Sequence, residues 1–112
     1  MAQNKSNEFH KKHRDIADLA KAISHPARVQ ILKALAKKGD CMCGEMVEVL
    51  PLAQSTVSQH LKALKESGLI DGTISGTSSC YCINVKAWTE FKKSFDEFSD
   101  FIIEKSKNNT CC

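Results

Sequence analysis

Apolar residues recur at helical spacing along most of this chain, and one stretch where they alternate instead stands apart. Phe9, Ile16, Leu19 and Ile23 fall seven, three and four residues apart, which predicts an amphipathic helix over about 8–24. Ser24-His25-Pro26 interrupts it, and proline, having no N–H to leave unpaired, suits the first turn of a second helix. Val29, Leu32, Leu35 and Ala36 carry that helix to a stop at Gly39. A short third helix is expected over 43–50, with Met46, Val47 and Leu50 inward and Pro51 ending it. In AQSTVSQHLKALKESG, Val57, Leu61 and Leu64 repeat at i, i+4 and i+7, predicting a fourth helix closed by Gly68. Residues 69–84 switch to a period of two around Ser75-Gly76-Thr77-Ser78, the pattern of a β-hairpin. The last helix, about 86–106, carries Trp88, Phe91, Phe95, Phe98 and Ile102 at steps of three and four, widened by Phe101 and Ile103.

Length limits what this pattern can build. At 112 residues there is one domain, expected over 8–106, between a disordered N-terminus (1–7) and a flexible tail (107–112). A core of that size buries roughly two-thirds of the unfolded surface. It leaves little to cover the aromatic stripe of the last helix, so a homodimer paired through the first and last helices is expected. No apolar run approaches the roughly 18 residues of a membrane span, and no apolar secretory segment follows Met1. The expectation is a cytoplasmic protein, in which six cysteines are ligands or redox sensors rather than a disulfide framework. The net charge of +3 is modest, but residues 1–40 hold nine Lys/Arg against four Asp/Glu. That local excess slightly favours a phosphate-bearing partner.

The fourth helix has a second, wholly polar stripe: Ser55, Ser58, Gln59 and Lys62. Helix, short connection, helix and hairpin make the winged helix-turn-helix plan, whose second helix enters the DNA major groove. Such a helix needs an apolar inner face and short polar side chains outside. Glutamine pairs with adenine edges, hydroxyls reach bases or phosphates, and a helix N-terminus favours phosphate.

The segments LAKAISHPARVQILKAL and LAQSTVSQHLKALKESGLI resemble the ArsR/SmtB family of metal-responsive repressors, most closely its arsenic-responsive branch. The similarity covers about 16–84. It implies a mainly α, homodimeric winged helix of five helices plus a hairpin wing, with double-stranded operator DNA as partner. By position, Gln54, Ser55, Thr56, Ser58, Gln59 and His60 correspond to the family's DNA-contacting helix, with Lys62 available for phosphate. The chain departs from the family pattern twice. Ala53 stands where many members have serine, so Gln54 or Ser55 must serve as the helix cap. Thr77 stands where many have arginine, and 73–84 contain no Lys or Arg, which moves phosphate contact to Lys62, Lys65 and the basic first third.

Cysteine placement carries the remaining chemistry. Cys41 and Cys43 are expected at the start of the third helix, where a thiol pKa is lowered and thiolate is available. The resemblance makes this the family's metal box, whose further cysteine is replaced here by Met46. Trivalent arsenic takes three thiolates and zinc four mixed ligands. A missing thiolate is then expected from Cys111 or Cys112, on a tail able to extend roughly 20 Å. Cys80 and Cys82 share a strand face and read as replacements of small residues. His10 and His13 offer an alternative zinc or cadmium set with Cys41 and Cys43. The last helix has no histidine for the family's other zinc site.

The sequence therefore reads as a repressor, not an enzyme, that leaves its operator when As(III) or Sb(III) binds thiolates, with no obligatory cofactor. Alternatives are the same fold sensing Zn or Cd, or sensing thiol oxidation or persulfide. A thiol enzyme using the Cys111-Cys112 tail lacks a Cys-x-x-Cys or phosphate-cradling motif, and an effector-free architectural DNA binder does not account for the cysteines.

Overall fold

A computed structural model describes residues 10–39, 41–43, 51–75 and 78–108. Their order is α1 (Lys11–Ala22), α2 (Pro26–Lys38), β1 (Met42–Cys43), α3 (Gln54–Glu66), β2 (Ile70–Ser75), β3 (Ser78–Ile83) and α4 (Val85–Ser106). The capping residues explain these limits. His10 and His25 precede α1 and α2, and their ring Nδ1 atoms accept from the N–H groups of Lys12 and Ala27. Pro26 occupies the first turn of α2 as expected, and Gly39 ends that helix in the left-handed region at φ 72°. Its N–H donates to the carbonyls of Leu35 and Ala36.

The expected third helix needs correction at its start. Met42 and Cys43 are not helical but form β1, which pairs antiparallel with the open edge of β3. The pairing satisfies backbone groups there and buries Met42 to 6% exposure. Residues 44–50 lie outside the described residues, as does most of that expectation. The sheet runs β1-β3-β2, with Met42 opposite Tyr81, Cys43 opposite Cys80, and Gly72 opposite Tyr81.

α2 packs on α3 and β3, α3 on β2, and α1 on α4. The core they share is built from Ile31 and Leu35 of α2, Val57, Leu61 and Leu64 of α3, and Leu69 and Ile70 entering the hairpin. Asn84 joins hairpin to helices: its side-chain amide donates to the Gly68 carbonyl while its Oδ1 accepts from Ala87 N–H at the start of α4. Tyr81 lies over Gly72, where an added Cβ would come within 2.9 Å of the ring, and Lys65 of α3 closes the same spot. No helix among the described residues is long and apolar enough to cross a membrane.

Two substitutions test this core by urea denaturation. Leu64, wholly buried, loses about 3 kcal/mol as Leu64→Ala. Gly72→Ala loses about 1–3 kcal/mol by displacing Tyr81. Unchanged stability in both contradicts the packing described.

Candidate functional site

α3 separates its two faces as the periodicity requires. Val57, Leu61 and Leu64 are buried, while Gln54, Ser55, Ser58, Gln59 and Lys62 are exposed and Thr56 is half-buried. The exposed set forms a polar ridge along one side of the helix, short enough at its N-terminal end to approach a groove closely. No side chain caps α3: Ala53 precedes it in an extended conformation, and neither Gln54 nor Ser55 takes the capping role expected of them. The opening turn thus presents backbone N–H groups without a competing side-chain oxygen, and its dipole favours negative charge.

His60 departs from the sequence expectation. It is only 9% exposed and turns away from the outer face toward α2. The Arg28 Nε–H donates to His60 Nδ1 at 3.1 Å, Arg28 Nη1 donates to the Ala22 carbonyl at 3.2 Å, and the His25 and His60 rings sit 4.5 Å apart. The reason is positional: residue 60 follows Val57 by three and precedes Leu64 by four, so it falls on the buried stripe. In this arrangement His60 ties α3 to the start of α2. Arg28 and His25, neither of them expected at a site from sequence, are its partners.

Burial above all, then the nearness of His25 and of the Arg28 guanidinium, holds His60 below the ordinary imidazole value of 6.5. The Arg28 hydrogen bond needs a lone pair on Nδ1, so it also requires the neutral ring.

The thiols are arranged differently from the expectation. Cys41 immediately precedes β1 and Cys43 lies within it, and residues 44–50, which follow, lie outside the described residues. Cys41 is joined to Cys82 by a disulfide across β1 and β3, with Cα atoms 4.4 Å apart. Cys80, whose register partner is Cys43, is also disulfide-bonded. Cys41, Cys80 and Cys82 are all half-buried. Thus Cys80 and Cys82 are not small-residue replacements on an open wing. Their signal in the sequence was the repeated Cys-x-Cys, two residues being one strand repeat. Cys111 and Cys112 lie outside the described residues. With Cys41, Cys80 and Cys82 disulfide-bonded, no group of three or more His, Cys, Asp or Glu among the described residues stands ready to hold a metal ion, and His10 and His13 belong to no such group.

α4 carries an aromatic ladder, Trp88 to Phe91 to Phe95 to Phe98, with ring centroids 5.7, 6.0 and 6.4 Å apart. Only its start meets the core, through Trp88. Phe95, Phe98, Phe101, Ile102 and Ile103 remain exposed.

The His60 arrangement predicts a pH dependence. Because its folded pKa lies below its unfolded one, the stabilisation is complete above about pH 6.5. It is lost as pH falls below that value, where the unfolded chain takes up a proton the folded chain resists. Thermal melts of wild type should hold level from pH 8 to 7 and drop below 6.5, with His60→Gln showing a shallower slope. Identical slopes contradict the arrangement.

The profile of "Bacterial regulatory protein, arsR family" matches residues 25–71, the span from the His25 cap through α3 into the hairpin. An uncharacterized HTH-type transcriptional regulator of Methanocaldococcus jannaschii is 36% identical over 87 residues, covering 77% of this chain and 97% of the relative. The arsenical resistance operon repressor of Bacillus subtilis is 31% identical over 93 residues, covering 82% of this chain and 85% of the relative. The crystal structure of NolR from Sinorhizobium fredii superposes with a TM-score of 0.62 at 26% identity, covering 87% of this chain and 96% of that one. With identity sustained along nearly the whole length of such relatives, and with the winged-helix geometry that the family requires, the chain belongs to the ArsR family and is a DNA-binding transcriptional repressor, not an enzyme.

Proposed function

We propose that this repressor binds a palindromic operator as a homodimer and releases it when trivalent arsenic or antimony is captured by thiolates that include Cys41 and Cys43. The observation that carries the DNA-binding half is the split of α3 into a buried apolar stripe and an exposed ridge of Gln54, Ser55, Ser58, Gln59 and Lys62. In the major groove, Gln59 hydrogen-bonds a base edge, and the serines with the uncapped helix start meet base or phosphate oxygens. Lys62 neutralises a phosphate. Half-sites about one helical turn apart match a two-fold symmetric protein.

A second copy is supported by α4. It is 22 residues long and contributes no fully buried side chain, while Phe95, Phe98 and Phe101 are exposed at 46%, 42% and 62%. The radius of gyration, 17.3 Å, exceeds the roughly 13 Å of a compact domain this size. Pairing of α1 and α4 with their copies covers that stripe and sets the two α3 helices at a fixed spacing.

The relative named for arsenical resistance supports a metalloid inducer. Cys111 or Cys112 remains a source for the third thiolate, and zinc or cadmium the alternative ions. The Cys41–Cys82 disulfide supports thiol oxidation as a second signal on the same residues. Either way the working compartment is the cytoplasm, where thiols are kept largely reduced.

Fluorescence anisotropy of the reduced full chain on a palindromic operator tests this function. Gln59→Ala should cost about 1–3 kcal/mol and relax base preference, and Lys62→Ala should lower the salt slope by about one. Arsenite should weaken wild-type binding and leave Cys41→Ser/Cys43→Ser bound. Release of the double-serine variant by arsenite overturns the thiol assignment.

A further inference from the structure

Antiparallel pairing places four cysteines on two rungs, one on either side of the Met42–Tyr81 rung. The register that sets Met42 opposite Tyr81 and Cys43 opposite Cys80 also aligns Cys41 with Cys82, the pair joined by the disulfide. Met42 and Tyr81 pack with the core. Strand alternation therefore sends Cys41, Cys80 and Cys82 to the opposite face of the sheet. Cys43 enters through its register position. Across β3 the same rungs continue to Asp71, opposite Cys82, and Thr73, opposite Cys80, both exposed.

We propose that Cys41, Cys43, Cys80 and Cys82 constitute one thiol site across β1 and β3, and that its reduced form is where the soft trivalent ion binds. The site supplies three thiolates without recourse to the tail. The inference rests on the thiol-inducer reading above and assigns the residues of that site.

Spacing suits such an ion. Cα atoms of Cys41 and Cys82 are 4.4 Å apart, and positions two apart along a strand are separated by roughly 6.7 Å. Sulfur ligands around an ion with 2.3 Å bonds stand about 3.8 Å from one another. One cross-strand pair reaches that separation directly, and a sulfur from the next same-face rung, two positions along, reaches it by leaning along the strand. Half-burial of Cys41, Cys80 and Cys82 admits a small neutral species such as arsenous acid while shielding the bonds it forms. Oxygen chemistry is sparse on these rungs, with Asp71 the one carboxylate in register, so thiolate-selecting soft ions are favoured over hard ones.

The chemistry balances without an external oxidant. Arsenous acid and three thiols give three As–S bonds and three waters, and no electron moves. Each disulfide must first be reduced, taking two electrons and two protons from a thiol reductant of the glutathione class. Ion capture and disulfide formation are therefore mutually exclusive uses of the same sulfurs. Both cross-link β1, which precedes α3 in the chain, to β3. Through β2 that strand adjoins α3.

The test is arsenite uptake by the full chain, reduced with a phosphine and then freed of it under nitrogen. Arsenic per chain and the sulfur–arsenic absorption band are measured in wild type, Cys80→Ser/Cys82→Ser, Cys82→Ser alone and Cys111→Ser/Cys112→Ser. Operator affinity without arsenite verifies that each variant is folded. Wild type and the tail variant should bind with equal affinity, the double wing variant should lose about 100-fold or more, and Cys82→Ser, which keeps three of the four thiols, should lose less. Undiminished uptake by the double wing variant, with uptake lost from the tail variant, overturns the site. Uptake that follows this pattern without release of the operator upholds the site and overturns the inducer reading. A wild type that takes up no arsenic overturns both.

Discussion

A helix can read a groove only if its angle to the rest of the protein is fixed, and here one apolar seat fixes it. Val57, Leu61 and Leu64 share a core with Ile31 and Leu35 of α2 and with Leu69 and Ile70 of the hairpin, nearly all of them excluded from solvent. Each such side chain is worth about 1.5–3 kcal/mol of burial, an appreciable share of what a domain this small has to spare. The hydrophobic term has no direction of its own. Orientation comes from polar ties at the edge of the seat, where Arg28 holds both the Ala22 carbonyl and the ring of His60. At the other end, Asn84 ties the hairpin to the turn after α3 through the Gly68 carbonyl. The polar ridge of α3 is what the seat leaves outside.

Most of that construction is local, and local construction was legible in the sequence. The stripe of α3, the proline start and glycine stop of α2, the hairpin at 69–84 and the aromatic seam of α4 all follow from spacing within one element. The exposed polar ridge was legible for the same reason, except at His60. A histidine among serines and glutamines reads as part of the polar ridge, yet its phase puts it with Val57 and Leu64. Only the distant Arg28 and His25 make such burial tolerable. The uncapped start of α3 was half legible. Ala53 announced the missing hydroxyl, but that nothing replaces it depends on the backbone.

The thiol arrangement was the least legible part because it depends on non-local strand pairing. Cys41 and Cys82 are 41 residues apart, and nothing in a two-residue strand such as Met42–Cys43 announces itself against a helical expectation. Once β1 is on the edge of β3, two Cys-x-Cys motifs become cross-strand neighbours. Both half-sites were visible, and the register that unites them was not. The thiol site we propose accordingly lies at the junction of the wing with the strand before α3.

A repressor relieved by thiol capture has to satisfy linkage. If the ion weakens operator binding, the operator must weaken ion binding by the same factor, since both act on one equilibrium between states. Isothermal titration of arsenite into the reduced protein, alone and saturated with operator DNA, therefore tests the central claim most directly. The account predicts weaker arsenite binding in the presence of operator, by a factor equal to the arsenite-induced loss of DNA affinity. Equal arsenite affinity in the two titrations contradicts it.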